Sequence, residues 1–282
     1  MPACFSVGKM IDRSPGHSET KPKKSLGQNF LVNEDAALRI VEQLNLLPSD
    51  TVLEIGAGKG ALTKHLLGKC KEVIAVEIDQ RMCQYLKKKF SGYTNLQIVR
   101  EDILRLNLRR YSQKGTIKVV GNIPYHLTAP IISRLIDNKE SICLAILTVQ
   151  KEVAERICAK PDTKDWSLLS ILAQLHADVK FLFVLKPGWF YPPPKVRSAV
   201  VELSFLSNPR VKIENTEHFF GIARLMFQQK RKMIINSLAS GLGLPKAETK
   251  EKLEKEKIDY SLRPQSLDLE KLAAISSVLK WK

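Results

Sequence analysis

The sequence has few cysteines and no long apolar run, and these two absences exclude several classes of protein. Its five cysteines are Cys4, Cys70, Cys83, Cys143 and Cys158. They form no C-x-x-C pair and no Cys/His cluster with zinc spacing, so we expect reduced thiols and no metal site. No apolar stretch approaches the roughly 20 residues that span a bilayer, and the N-terminus has no signal-peptide core. We therefore expect a cytoplasmic protein with no membrane partner.

Negative charge is also in short supply. The 282 residues include 45 Lys and Arg but only 29 Asp and Glu, which gives a formal net charge of +16. So basic a surface favours an anionic partner, and in the absence of a membrane segment that partner is expected to be a nucleic acid. The alternative is a basic surface that serves only solubility.

The order of the predicted elements indicates a tail and two domains. Residues 1–20 mix acidic, Ser, Gly and Pro residues and are predicted to be a disordered tail. Over 21–207, β-rich runs alternate with helical periodicity, which is typical of a doubly wound α/β domain. Its last two β-rich runs predict a hairpin that ends a mostly parallel sheet. Residues 208–282 are predicted to be all-α. Within them, 217–240 is predicted to form one long amphipathic helix that stops at Gly241.

A glycine-rich turn follows the first strand of the sheet, in the stretch EIGAGKGALT at 54–63. Such a turn can cradle a pyrophosphate, but the acids around it indicate a different ligand. Glu54 precedes the turn, Glu77 ends the second strand and Asp102 ends the third. These carboxylates suit, in order, a cationic cofactor, a pair of ribose hydroxyls and an adenine amino group. The set predicts a pocket for S-adenosylmethionine at one edge of the sheet.

The fourth strand ends in a polar turn, Asn122-Ile123-Pro124-Tyr125. An adenine N6 amine is a weak nucleophile because its lone pair is delocalised into the ring. Hydrogen bonds from that amine to the Asn122 side-chain oxygen and the Ile123 carbonyl would aim the lone pair at a methyl group. Pro124 fixes the backbone without offering an N–H, and Tyr125 offers a flat face for a base. The alternative is an ordinary strand-ending turn with a core-facing tyrosine.

Taken together, these motifs resemble the ribosomal RNA adenine N6,N6-dimethyltransferase family, from about Lys24 to near the end of the chain. The stretches that carry the resemblance are QNFL (28–31), EIGAGKGALT (54–63), VEID (76–79), ED (101–102), NIPY (122–125), VQKEVAER (149–156), FYPPPKVRSAVV (190–201) and FQQKRKMIINSL (227–238). Within the family, the sequence is most similar to the bacterial small-subunit enzymes whose loss confers kasugamycin resistance. Those enzymes dimethylate two adjacent adenosines near the 3′ end of 16S RNA.

The resemblance implies a class I S-adenosylmethionine-dependent methyltransferase domain. That domain is Rossmann-like, with a mostly parallel sheet and a terminal antiparallel strand, and a small all-α C-terminal domain follows it. S-adenosyl-L-methionine would be the cofactor and S-adenosyl-L-homocysteine the product. By this resemblance Asn29 and Leu31 close over the cofactor, Gly56 lines its amino-acid end, Glu77 holds the ribose and Asp102 the adenine N6.

The resemblance also assigns the substrate side. Asn122 would lie between the cofactor and the target amine, and Tyr125 and Phe190 would sandwich an adenine flipped out of its stack. Trp166 and Ser167 depart from the family, which leads us to expect tyrosine and glycine there.

Basic residues in three stretches are expected to contact RNA phosphates. They are Lys21, Lys23 and Lys24 just before QNFL, Lys195 and Arg197 after the three prolines, and Lys230, Arg231 and Lys232. For each of them the alternative is solvated surface charge. The expected partner is small-subunit ribosomal RNA within an immature 30S subunit, and the protein is expected to act as a monomer.

Three other functions stay open at this stage. A large-subunit RNA adenine methyltransferase of the macrolide-resistance type shares the fold and the polar turn. A DNA adenine methyltransferase usually has proline where this chain has Ile123, which argues against it. A ribosome-assembly factor could keep the pocket and act mainly by binding.

Overall fold

The computed structural model describes residues 21–112 and 115–280, and the predicted tail, 1–20, lies outside these ranges. In chain order the first domain contains β1 (Phe30–Leu31), α1 (Glu34–Glu42), β2 (Thr51–Ile55), α2 (Thr63–Leu66), β3 (Glu72–Glu77), α3 (Gln80–Lys89), β4 (Leu96–Arg100), β5 (Ile117–Asn122), α4 (Thr128–Ile136), β6 (Ile142–Gln150), α5 (Lys151–Ile157), α6 (Leu168–His176), β7 (Ala177–Leu185), β8 (Phe190–Tyr191) and β9 (Ser198–Phe205). The remaining helices are α7 (Thr216–Phe227), α8 (Ile234–Leu242), α9 (Lys246–Lys255) and α10 (Leu269–Val278).

The central sheet has seven strands in the order β4-β3-β2-β5-β6-β9-β7. The first five of these strands are parallel, while β9 runs antiparallel to both β6 and β7. This confirms the predicted class I fold and the predicted hairpin, and it places β9 inside the sheet, between β6 and β7. The order reverses between β2 and β5, so a crevice opens beyond their carboxyl ends, where ligands bind in open α/β sheets.

Apolar side chains cover both faces of the sheet, which explains why the parallel strands read as nearly continuous apolar runs. On β5, Val119 packs into one core with α4, and its neighbour Val120 packs into the opposite core with α1. Helices therefore pack on both faces of the sheet, and this packing fixes the positions of the strand ends.

The helical domain differs from the prediction of one long helix over 217–240. Helix α7 ends at Phe227, a turn follows, and α8 runs from Ile234 to Leu242, where Gly243 caps it with left-handed dihedrals. Gly241 lies inside α8, where an added Cβ would approach Leu225 of α7 to 2.6 Å. Gly241 therefore permits close packing of the two helices, and it is not a stop signal. Apolar residues recur at helical spacing on both sides of the turn, so periodicity could not reveal the break.

Trp166 joins the two domains. Its side chain is only 1% exposed and belongs to the apolar core formed by α7, α8 and α10. Its indole nitrogen donates to the carbonyl of Leu267 at 2.9 Å, and Lys230 Nζ donates to the Trp166 carbonyl at 3.1 Å. The boundary at 207/208 remains a prediction about the chain, and side-chain packing continues across it.

Candidate active site

A cleft opens where the carboxyl ends of β2, β3 and β5 meet the segment before α1. The cleft is open to solvent, and its empty space including the mouth is about 770 Å³. Most of the predicted site residues line it, namely Asn29, Gly56, Glu77, Asp102, Asn122, Ile123, Pro124 and Tyr125. The structure thus brings together residues that lie almost 100 positions apart in the chain.

The glycine turn has a backbone that other residues adopt poorly. Gly56, Gly58 and Gly60 all have positive φ, at +69°, +53° and +74°. A Cβ on Gly58 would also lie 2.9 Å from the ring of Phe30, which lines the cleft. Because these glycines have no side chains, a ligand in the cleft can approach the backbone of the turn closely.

Glu77 is the central acid of the cleft. Its carboxylate accepts hydrogen bonds from the backbone N–H of Gly58 at 2.8 Å and of Asp79 at 2.9 Å. Burial raises the pKa of Glu77, and these two hydrogen bonds oppose the rise. The carboxylate is therefore fixed in orientation, and its remaining lone pairs can accept from the two hydroxyls of a ribose.

Two apolar residues that sequence reasoning missed lie beside the cleft acids. Ile78 follows Glu77, Ile103 follows Asp102, and both line the cleft. Ile78 is 50% exposed, so its side chain can contact a ligand in the cleft. The signal in the sequence was an apolar residue directly after each acid. Together these groups offer apolar faces and acceptors that suit an adenosine, so the cleft fits S-adenosylmethionine.

Glu54 occupies a different position from the one its sequence suggested. It is 1% exposed, is not among the residues lining the main cleft, and accepts a hydrogen bond from the Thr63 hydroxyl at 2.6 Å. With Leu31 it lines a smaller cavity under the glycine turn, which shares Gly56 and Asn122 with the cleft. Burial raises the pKa of Glu54 to about 8. Its main visible role is to hold the start of α2.

We expect Glu54→Gln to stabilise the protein more at high pH than at low pH. The pKa of Glu54 rises from 4.5 to about 8 on folding. Between these values the unfolded chain loses the proton and the folded chain keeps it, so the free energy of unfolding falls as pH rises through this window. Glutamine carries no such penalty. The gap in melting temperature in favour of the variant should therefore widen from pH 5 to pH 8.5.

Glu34→Gln is the control for this measurement. Glu34 is exposed and its pKa is lowered by Lys64, so its replacement should not reproduce the gain at high pH. A gap between Glu54→Gln and the wild type that stays constant with pH would contradict the prediction.

Asn122 has a defined amide orientation. Its Nδ2 donates to the main-chain carbonyl of Asn29 at 2.8 Å. Because a carbonyl can only accept, the NH₂ of Asn122 must face it. The side-chain oxygen is left to accept a hydrogen bond, as a clamp for a target amine requires. The next residue, Ile123, is tied to β6 by a backbone N–H to the Thr148 carbonyl at 3.4 Å.

Tyr125 lies at the cleft and its hydroxyl is 2.6 Å from the hydroxyl of Ser198. Phe190, the second ring of the predicted sandwich, is only 3% exposed and packs in the core with Leu31, its partner in the β1–β8 pair. Side chains alternate along a strand, so Phe190 points inward and Tyr191 outward, at 56% exposure. Of the two rings that the sequence predicted to sandwich an adenine, the structure places Tyr125 at the cleft and Phe190 in the core.

The basic residues that follow the three prolines and those near α7 lie at two places on the surface. Lys195 and Arg197 are exposed in the loop between β8 and β9. Arg231 and Lys232 are exposed in the turn between α7 and α8, which corrects their predicted place inside a helix. Lys230 is partly buried in that turn by its bond to Trp166. Their contact with phosphates stays a prediction.

Within residues 21–112 and 115–280, no helix combines the length and the apolar character that a bilayer crossing needs. No cluster of three His, Cys, Asp or Glu side chains in them has the arrangement of a metal site.

Comparison with known proteins places this geometry in context. The family model described as ribosomal RNA adenine dimethylase matches residues 19–277. A ribosomal RNA small subunit methyltransferase A of Fusobacterium nucleatum is 40% identical over 266 residues, which cover 94% of this chain and 100% of that protein. A protein of the same name from Clostridium botulinum is 38% identical over 262 residues, 93% of this chain and 95% of that one.

Solved structures give the same grouping. A dimethyladenosine transferase from Plasmodium falciparum superposes with a TM-score of 0.74 at 28% identity, covering 87% of this chain and 95% of that one. The 23S rRNA methyltransferase ErmE superposes with a TM-score of 0.68 at 26% identity, covering 89% and 99%.

Proposed function

Because the chain belongs to the ribosomal RNA adenine dimethylase family, we propose that it transfers methyl groups from S-adenosylmethionine to adenosine N6 in small-subunit ribosomal RNA. The observation that carries this proposal is the orientation of the Asn122 amide, whose NH₂ is held by the Asn29 carbonyl at 2.8 Å. In finer detail, the targets are two adjacent adenosines near the 3′ end of the 16S RNA, and each receives two methyl groups. The protein acts as a monomer on an immature 30S subunit in the cytoplasm.

The residues of the cleft divide the work between them. S-adenosylmethionine, when bound, supplies a methyl group activated by its sulfonium charge. Glu77 and Asp102 fix the nucleoside part of that cofactor, and the glycine turn makes room for the rest. Asn122 and the Ile123 carbonyl accept hydrogens from the target amine, and Tyr125 stacks on its ring. Catalysis then comes mainly from positioning and from oriented acceptors.

The small-subunit assignment is supported by the curated relatives. Those with 35–40% identity over more than nine-tenths of this chain are named small-subunit enzymes. The large-subunit enzyme ErmE is similar at 26% identity. A large-subunit RNA methyltransferase therefore remains the second candidate, on the same fold and cleft.

The first test is methyl transfer from radiolabelled S-adenosylmethionine. The full-length protein is incubated in parallel with immature small subunits, large subunits and DNA, and the labelled nucleoside is identified after digestion. We expect N6,N6-dimethyladenosine in small-subunit RNA alone, and no label with Glu77→Ala. Label in large-subunit RNA would replace the proposal with the second candidate. Binding of the cofactor without any transfer would instead indicate a protein that acts by binding.

A role in assembly is separated from catalysis by rescue. If Asn122→Ala, expressed in cells that lack the protein, still restores small-subunit maturation without methylating RNA, binding alone is sufficient for maturation. Failure to restore it would tie maturation to the methyl transfer.

A further inference from the structure

The hydrogen bond between Tyr125 and Ser198 joins the polar turn at the end of β5 to the first residue of β9. Tyr125 begins a short 3-10 helix, Tyr125–Leu127, beyond the end of β5. Its hydroxyl lies 2.6 Å from Ser198 Oγ, and the two residues are 73 positions apart in the chain. Motif reasoning selected Tyr125 for its ring and did not assign a role to Ser198.

Ser198 is a firm anchor because it lies inside the sheet. It opens β9, pairs with Gln150 of β6 on one side and with Leu185 of β7 on the other, and is 0% exposed. Tyrosine has two main side-chain torsions, and a bond at the tip of the ring restrains both of them. Either hydroxyl can donate in this bond. Burial raises the pKa of Tyr125, and the hydrogen bond with Ser198 opposes the rise.

The restraint on Tyr125 should matter more in the second methyl transfer than in the first, because the two substrates differ in their N–H groups. In each transfer, the N6 lone pair forms a bond to the methyl carbon, the carbon–sulfur bond breaks with its electrons going to sulfur, and N6 releases one proton to water. Adenosine starts with two N–H groups for the two acceptors, Asn122 Oδ1 and the Ile123 carbonyl. N6-methyladenosine has only one. The orientation of the base in the second transfer therefore depends more on stacking against Tyr125.

We propose that Ser198 is a positioning residue for Tyr125 whose main contribution is to the second methyl transfer, and thus to the completeness of dimethylation. The proposal rests on the function proposed above. It assigns Ser198 no contact with the substrate, because its effect passes through the tyrosine ring.

The test compares Ser198→Ala, Tyr125→Phe and the double variant on immature small subunits. For each single variant we expect kcat/KM to fall about five- to tenfold, the size of one neutral hydrogen bond. The ratio of N6-methyladenosine to N6,N6-dimethyladenosine should rise when samples with equal total methyl incorporation are compared. The double variant should be no worse than either single variant, because one interaction is removed in all three. The cofactor Kd should not change.

Ser237→Ala is the matched control, since Ser237 is a serine in α8 at 1% exposure. It should leave the product ratio unchanged, and melting curves should show that all variants are folded. An unchanged ratio in Ser198→Ala, or additive losses in the double variant, would overturn the inference while leaving the proposed function intact. If the wild type makes no dimethyladenosine, the proposed function fails and the inference fails with it.

Discussion

Replacing Asn122 with alanine is expected to lower kcat by about 10²–10³-fold, the loss typical of one oriented hydrogen-bonding group at a reacting centre. Single-turnover methyl transfer measures this step directly. Asn122→Asp should be almost as impaired, although it has nearly the same shape, because a carboxylate cannot donate to the Asn29 carbonyl that now lies 2.8 Å from the amide nitrogen. Two facing oxygens would repel, and the side chain would turn away from the target amine.

Asn95→Ala is the matched control for this prediction. Its amide also donates to a main-chain carbonyl, that of Cys70 at 3.3 Å, but it is not among the residues lining the cleft. It should keep kcat within about twofold of the wild type, as surface changes away from a site usually do. If Asn122→Asp were as active as the wild type, the amide orientation would not be what positions the amine.

The second large effect is expected from Gly58→Ala, which should raise the Kd for S-adenosylmethionine about 10- to 100-fold. Alanine at a φ of +53° is strained, at a cost of order 1–3 kcal/mol, and every 1.4 kcal/mol is about tenfold in affinity. The added Cβ would also lie 2.9 Å from the Phe30 ring. The turn must move to relieve the backbone strain and the contact with Phe30. That movement would break the 2.8 Å hydrogen bond from the Gly58 N–H to Glu77. Titration calorimetry gives the Kd.

Gly92→Ala serves as its control, because no atom lies within 4 Å of a Cβ at that position and its φ is not positive. Its cofactor affinity should match that of the wild type. Equal affinity in Gly58→Ala would mean that the turn adapts without loss and that its preformed shape is unimportant.

The sequence predicted the sheet and most of the cleft because parallel strands deliver their last residues to one edge. Glu77 ends β3, Asp102 follows the end of β4 and Asn122 ends β5, so their convergence at one edge follows from the parallel order of the strands. The inward direction of Phe190 could not be predicted, since a strand of two residues has no alternation pattern to read. The contacts of Asn122 with Asn29 and of Tyr125 with Ser198 span 93 and 73 positions, and no local pattern encodes them.

Glu54 illustrates a different limit of the sequence. Its place before the glycine turn was correctly recognised, but burial and the Thr63 hydroxyl decide its role, and both depend on the packed structure. The turn between α7 and α8 is a similar case, because close contact of Gly241 with Leu225 sets the helix pair.

The burial of Trp166 in the core of the helical domain has a consequence for how an RNA is selected. Parts that share an apolar core move as one body, unlike domains joined only by a linker. The separation between Tyr125 and the basic turn that carries Arg231 and Lys232 is therefore a constant of the molecule. An RNA that touches both must present an unstacked base and a stretch of backbone at that one spacing. Such selection depends on the distance between that base and that stretch of backbone. It requires no contacts with the bases between the two points.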